Sequence, residues 1–192
     1  GQVPNKMGNS YSDFMATWTA LGSLMAALLR RARTGQGQWI DLAMYQTGTT
    51  VIGTGLLDYV FNARRTQRIG NRHPVWSPHG VYPCRGHDQW VAIAARNDEE
   101  WQAVCQGMGL PELAFDPRFA DPIERRRHQE ELDEIIAAWT SGKTSYQVMN
   151  ALQDVGAPAG AVLTAKQALT DPQYLDRGFF ETVHNPDRKS VV

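Results

Sequence analysis

The stretch "SDFMATWTALGSLMAALLRRAR", residues 12–33, constrains this chain more than any other. Phe14, Trp18, Leu21, Met25 and Leu28 recur at helical spacing, and Met15, Leu24 and Leu29 widen the stripe. So wide an apolar surface predicts a helix that is mostly buried. Ala16, Ala20, Gly22, Ala26 and Ala27 predict close approach of neighbouring backbones. Ser12 or Asp13 offers an N-cap, and Gly35 fits the position just past the helix C-terminus. Thr17, Thr19 and Ser23 interrupt the run and Arg30 and Arg31 close it, so it falls short of the roughly 20 apolar residues of a membrane span.

The next segment extends the pattern. "GQGQWIDLAM" reads as a tight turn into a short strand, Gln38 to Leu42, and a second apolar helix runs from Met44 to Phe61. Gly48, Gly53 and Gly55 again suggest close packing. Helix, strand, helix is the end of an α/β layer. "NARRTQRIGNRHPVWSPHG" then breaks the periodicity with basic residues, prolines and glycines, which places a domain boundary at residues 62–75.

Beyond the boundary, "GVYPC" and "QWVAIAA" flank "RGHD" as a β-hairpin with Gly86 in the turn. Asn97 or Asp98 caps a helix through Met108, and "LPELAFDPRFADP" is a proline-bounded loop. Ile123 to Trp139 reads as a charged amphipathic helix, its run of both signs a solvated face with Arg126 and Glu130 at pairing distance. "TSYQ", Thr144 to Gln147, is a capping box for a helix ending at Gly156. "PAGAVLT" is extended, Ala165 to Arg177 is helical around Asp171-Pro172, and "FFETVHN" is a strand. Residues 76–192 therefore form a small α+β domain.

A formal net charge of -1 gives no reason to expect nucleic acid or an anionic membrane as partner. Cys84 and Cys105 are far apart and make no C-x-x-C, so neither a disulfide framework nor a zinc site is expected, and a reducing cytoplasm is the default compartment. The chain opens on Gly1 rather than Met, which reads as a piece of something longer. The six tryptophans, Trp18, Trp90, Trp101 and Trp139 among them, read as core or interface residues.

Candidate chemistry is sparse. Asp13 reads first as a helix cap. Its other reading is a reactive carboxylate: a helix N-terminus favours the ionised form a nucleophile needs, and free N–H groups there and at Gly8-Asn9 would hold an oxyanion. No two histidines make an H-x-x-x-H pair, so no metal site is expected. His87 and His128 read as exposed. His73 and His79 sit in the boundary loop, where a cleft-lining role stands beside a structural one. "RTGQGQ" lacks the G-x-G-x-x-G spacing and leads into a strand, so it is no phosphate cradle.

Taken together, "SDFMATWTALGSLMAALLRRARTGQGQWIDLAMYQ", "GNRHPVWSPHGVYPC", "DEEWQAVCQGMGLPELAFDPRF", "AAWTSGKTSYQVMNALQDVGAPAGAV" and "DPQYLDRGFFETVHNP" closely resemble class III CoA-transferases. That family includes formyl-CoA transferase, carnitine CoA-transferase and the bile-acid-inducible protein F group, and acyl-CoA racemases share its fold. The resemblance implies an α/β fold in which residues 1–61 are the C-terminal part of a Rossmann-like large-domain segment carrying the catalytic Asp13. Residues 62–75 are then a linker and 76–192 the small α+β domain.

It also implies chemistry. Asp13 attacks an acyl-CoA thioester to give a mixed anhydride, the thiolate returns to form an aspartyl-CoA thioester, and an acceptor carboxylate completes the exchange. Coenzyme A is then a substrate, and no bound cofactor is implied. His73 and His79 face the acyl site in this reading. The partners are acyl-CoA and carboxylate substrates, and the full-length protein is an interlocked homodimer. Relatives are about twice as long and bind coenzyme A mainly through their N-terminal half, so this chain alone is expected to bind it poorly and turn over slowly or not at all. The 70–80 loop lacks the consecutive glycines of formyl-CoA and oxalate enzymes, which points to a larger acyl group. The alternatives are a racemase of the same fold, whose histidine base would precede Asp13, and a non-catalytic helix-rich interaction fragment.

Overall fold

Helix α1, Tyr11–Thr34, begins after Ser10 rather than at Ser12 or Asp13, and stops at Gly35. Gly35 adopts φ 71°, a left-handed conformation, and its N–H bonds the Arg31 carbonyl at 2.8 Å, as anticipated for that glycine. These are features of a computed structural model that describes residues 10–185 and 188–191. The chain divides into two units, Gly1–Gly70 and Asn71–Val192.

In the first unit α1 packs against α2, Met44–Val51, which is followed by α3, Gly53–Asn62. The single helix expected from Met44 to Phe61 is therefore two. Ile52 leaves helical geometry at φ -97°, ψ 20°. The hydroxyls of Thr47, Thr49 and Thr50 all bond back to carbonyls of the preceding turn, an arrangement that weakens and bends a helix, and Gly53 follows. The strand expected at Gln38–Leu42 does not form: among the described residues of this unit there is no strand for it to pair with. Arg30 instead holds the segment through Gln38 Oε1 at 3.0 Å.

The expectation that α1 is mostly buried is also corrected. None of its residues is buried. Its half-buried positions are Met15, Ala16, Ser23 and Ala27, so the small residues line the inner side while Trp18 stands 67 % exposed. A Cβ built on Gly48 of α2 would lie 4.0 Å from Ser12 Cβ, an ordinary contact distance, so α2 reaches the first turn of α1 without needing a glycine there.

The second unit has the interior. Strand β1, His79–Pro83, and strand β2, Trp90–Ala94, form the expected antiparallel hairpin, and β3, Ala159–Val162, pairs with the other edge of β2. Alternation along β2 buries Val91 and Ile93. Helices α4, Asp98–Met108, α5, Pro122–Arg127, α6, Gln129–Ser141, and α7, Ser145–Gln153, complete the layer: α6 packs on β1 and α7 on β2 and β3, with α4 against α7 and α5 against α6. Trp101, Val104 and Cys105 of α4 meet Leu132 and Ile136 of α6 and Val148 and Leu152 of α7 in one cluster with Val91, Ile93 and Phe119.

Caps set the helix starts as the residue types dictate. Asn97 Oδ1 accepts the Glu100 N–H at 2.9 Å, and Thr144 with Gln147 closes a full capping box. The helix expected over Ile123–Trp139 is divided at His128. Helices α8, Ala165–Thr170, and α9, Pro172–Asp176, meet at Asp171, which caps the second. Strands β4, Val183–Asn185, and β5, Arg188–Val191, form a separate antiparallel pair.

Candidate active site

Asp13 occupies the third position of α1, and its own N–H bonds the Ser10 carbonyl at 3.0 Å. Its side chain is exposed, and among the described residues no hydrogen bond or ion pair reaches its carboxylate. The positive end of the 24-residue helix favours a negative charge at this position. An accessible carboxylate that no cation among the described residues engages keeps its lone pairs for an incoming electrophile. The Gly8-Asn9 amides, expected to help hold an oxyanion, lie outside the described residues.

The second unit brings His73 and His79 together. Their ring centroids are 5.4 Å apart, and the Trp76 ring stacks on His73 at 4.0 Å with planes 17° apart. The short loop wraps around its own imidazole: Val75 N–H and Trp76 N–H both donate to His73 Nδ1, at 3.2 and 3.1 Å. Nδ1 is therefore unprotonated, and the ring carries its proton on Nε2. His79 is the reverse. Its Nδ1 lies 2.6 Å from the Asn71 carbonyl oxygen, which can only accept, so Nδ1 holds the proton. As neutral imidazoles the pair offers one Nε2–H donor, from His73, and one Nε2 acceptor, from His79.

Both ends of this loop are anchored. Arg72 pairs with Asp133 of α6 at 3.2 Å, and the Tyr82 hydroxyl donates to the same carboxylate at 2.8 Å. Burial, with Asp133 beside it, pushes the Tyr82 phenol far above its usual range, so it remains a donor. At the other end Ser77 is buried against Arg125 of α5.

Arg125 is the residue that sequence reasoning missed. In "IERRRHQEELDEI" it reads as part of a solvated charge run, yet it is 1 % exposed. Its partners Ser77, Phe119 and Asp98 are spread along the chain, and no local spacing announces them. The pairing expected between Arg126 and Glu130 is also replaced: Arg126 bonds Gln129, and Glu130 faces Arg72. His87 is exposed in the hairpin loop as expected, and His128 is half-buried with Nδ1 3.0 Å from the Glu124 carbonyl. No group of three His, Cys, Asp or Glu able to hold a metal gathers among the described residues, and none of their helices is long and apolar enough to cross a membrane.

Comparison with known proteins places the chain in a family. The whole chain, residues 1–192, matches the description of CoA-transferase family III. Succinyl-CoA--D-citramalate CoA-transferase of Chloroflexus aurantiacus is 39 % identical over 185 residues, which are 96 % of this chain and 46 % of that protein. Succinyl-CoA:mesaconate CoA-transferase of Haloarcula marismortui is 32 % identical over 184 residues, 95 % of this chain and 45 % of that one. Among solved structures, a CAIB/BAIF family protein from Brucella suis superposes with a TM-score of 0.83 at 28 % identity, covering 95 % of this chain and 47 % of that one. The chain spans less than half the length of each of these relatives.

Proposed function

Because the chain belongs to CoA-transferase family III, we propose that the protein moves coenzyme A between carboxylic acids through a covalent intermediate on Asp13. The observation that carries this reading is the placement of Asp13: exposed, unpaired among the described residues, and at the positive end of α1. A carboxylate oxygen of Asp13 adds to the thioester carbonyl, the carbon–sulfur bond breaks, and the thiolate of coenzyme A leaves. The thiolate then adds to the Asp13 acyl carbon and expels the donor acid as its carboxylate, which gives an aspartyl-CoA thioester. An acceptor carboxylate displaces the thiolate again, and the thiolate takes the new acyl group, which restores Asp13.

The relatives' names point to the acid. Those of Chloroflexus aurantiacus and Haloarcula marismortui are named for succinyl-CoA with D-citramalate and with mesaconate. These are dicarboxylic acids, and we extend that class to this protein. One carboxylate reacts at Asp13, and His73 and His79 are read as residues that meet the acid. Coenzyme A acts as a substrate, and no resident cofactor is part of the scheme. The free thiols of Cys84 and Cys105 suit a reducing compartment such as the cytoplasm. A homodimer is proposed for the full-length protein, in keeping with the apolar side chains that α1 leaves exposed.

The test is an exchange assay on the full-length protein with succinyl-CoA and a panel of dicarboxylate acceptors. Asp13→Asn is expected to abolish exchange. His73→Ala and His79→Ala are expected to raise KM for the acceptor more than they lower kcat. Unchanged exchange in Asp13→Asn would remove the nucleophile assignment.

A further inference from the structure

Arg125 holds a buried positive charge for which the proposed reaction has no use. Its guanidinium spends its donors on three different segments. Nε donates to the Ser77 carbonyl at 3.0 Å, Nη1 to the Phe119 carbonyl at 3.1 Å, and Nη2 to the Asp98 carboxylate at 2.7 Å. Ser77 returns a bond, its hydroxyl donating to the Arg125 carbonyl at 3.2 Å, and is itself 1 % exposed. Serine and arginine therefore hold each other twice across 48 residues of sequence.

A buried cation is a poor device for stability, because well-packed apolar side chains of similar volume commonly do as well or better. What a guanidinium does that an apolar chain cannot is direct rigid, planar donors at chosen oxygens. Here one of those oxygens belongs to the residue between Trp76 and His79. On the N-terminal side of Ser77 is Trp76, on which the His73 ring stacks. On the C-terminal side, across Pro78, is His79, whose Nδ1 reaches back to Asn71. The far end of the loop is held independently by Arg72 on Asp133.

We infer that Arg125 is a positioning residue for the two histidines: its clamp on Ser77 fixes where both imidazoles stand and which nitrogen of each carries the proton. The kinetic consequence, though not the positioning itself, rests on the reading of His73 and His79 as substrate-facing.

Imidazole nitrogen NMR on the histidine-labelled full-length protein tests the two parts separately, compared in Arg125→Met, Arg125→Lys and the exposed control Arg127→Gln. The wild type is expected to show His79 protonated on Nδ1 and His73 on Nε2. Arg125→Met and Arg125→Lys should move both histidines toward averaged tautomers, while Arg127→Gln keeps the wild-type signals. Alongside, KM for the acceptor acid should rise about tenfold with kcat nearly unchanged, the scale of one lost hydrogen bond. Arg125→Met removes every guanidinium bond while keeping an apolar chain of similar length, so it carries the test even where Arg125→Lys fails to fold. Unchanged imidazole signals in folded Arg125→Met would overturn the inference. Shifted signals with an unchanged KM would support the clamp and remove the substrate-facing role of the histidines.

Discussion

Gly107 of α4 lies so close to Leu152 of α7 that a Cβ added to the glycine would stand 2.8 Å from Leu152 Cδ2. The same Cβ would meet the Ala151 carbonyl oxygen at 3.0 Å, and a backbone oxygen cannot rotate aside. Two effects of Gly107→Ala therefore compete. Alanine in a helix interior gains about 1 kcal/mol over glycine, whereas overpacking a dense interior costs about 1–3 kcal/mol. Since α4 and α7 form the centre of the buried cluster, overpacking wins. Urea unfolding of Gly107→Ala is expected to show a lower midpoint with an unchanged slope. A raised midpoint would mean that the two helices separate freely.

The acid limb of stability follows from Asp116. Arg118, through side-chain and backbone hydrogen bonds, lowers the Asp116 carboxyl to about 2. The folded-state value lies below the ordinary carboxylate value of about 3.9, so the contribution is present above that value. It is lost as pH falls through about 4 toward about 2. Both groups are at the surface, so salt should weaken the effect. Stability measured between about pH 5 and 2 should fall less steeply in Asp116→Asn than in the wild type, and the difference should shrink in high salt. Parallel curves for the two proteins would contradict this.

The outward side of α1 predicts self-association. Phe14, Trp18, Leu24, Met25 and Leu29 are each at least half exposed on one helix, a larger apolar surface than a stable monomer normally shows to water. Sedimentation of the 192-residue chain is expected to show concentration-dependent association, reduced by Trp18→Lys with Leu24→Lys. A wild-type chain that stays monomeric across the concentration series would argue that this surface needs no cover.

What could be read in the sequence was local. Gly35, Asn97 and the Thr144–Gln147 box end or start helices through bonds within a few residues, so their roles are legible in the string. The hairpin around Gly86 is of the same kind. The expected strand at Gln38–Leu42 failed because a strand needs a partner, and local residues cannot supply one. The break at Ile52 was hidden because Thr47, Thr49 and Thr50 suit a helix well enough until their hydroxyls turn back on its carbonyls. At the site, His73 and His79 could be singled out by their irregular loop, but their opposite tautomers depend on Asn71 and on two backbone amides. Arg125 was illegible because its burial depends on Ser77 and Asp98, dozens of residues away.

The most direct test of the account is chemical trapping on Asp13. The full-length protein is incubated with an acyl-CoA donor, treated with hydroxylamine, digested and analysed by mass spectrometry. The expected result is a hydroxamate on the peptide that contains Asp13, dependent on the acyl-CoA and absent from Asp13→Asn. A hydroxamate on another carboxylate, with Asp13 unmodified during active turnover, would contradict it.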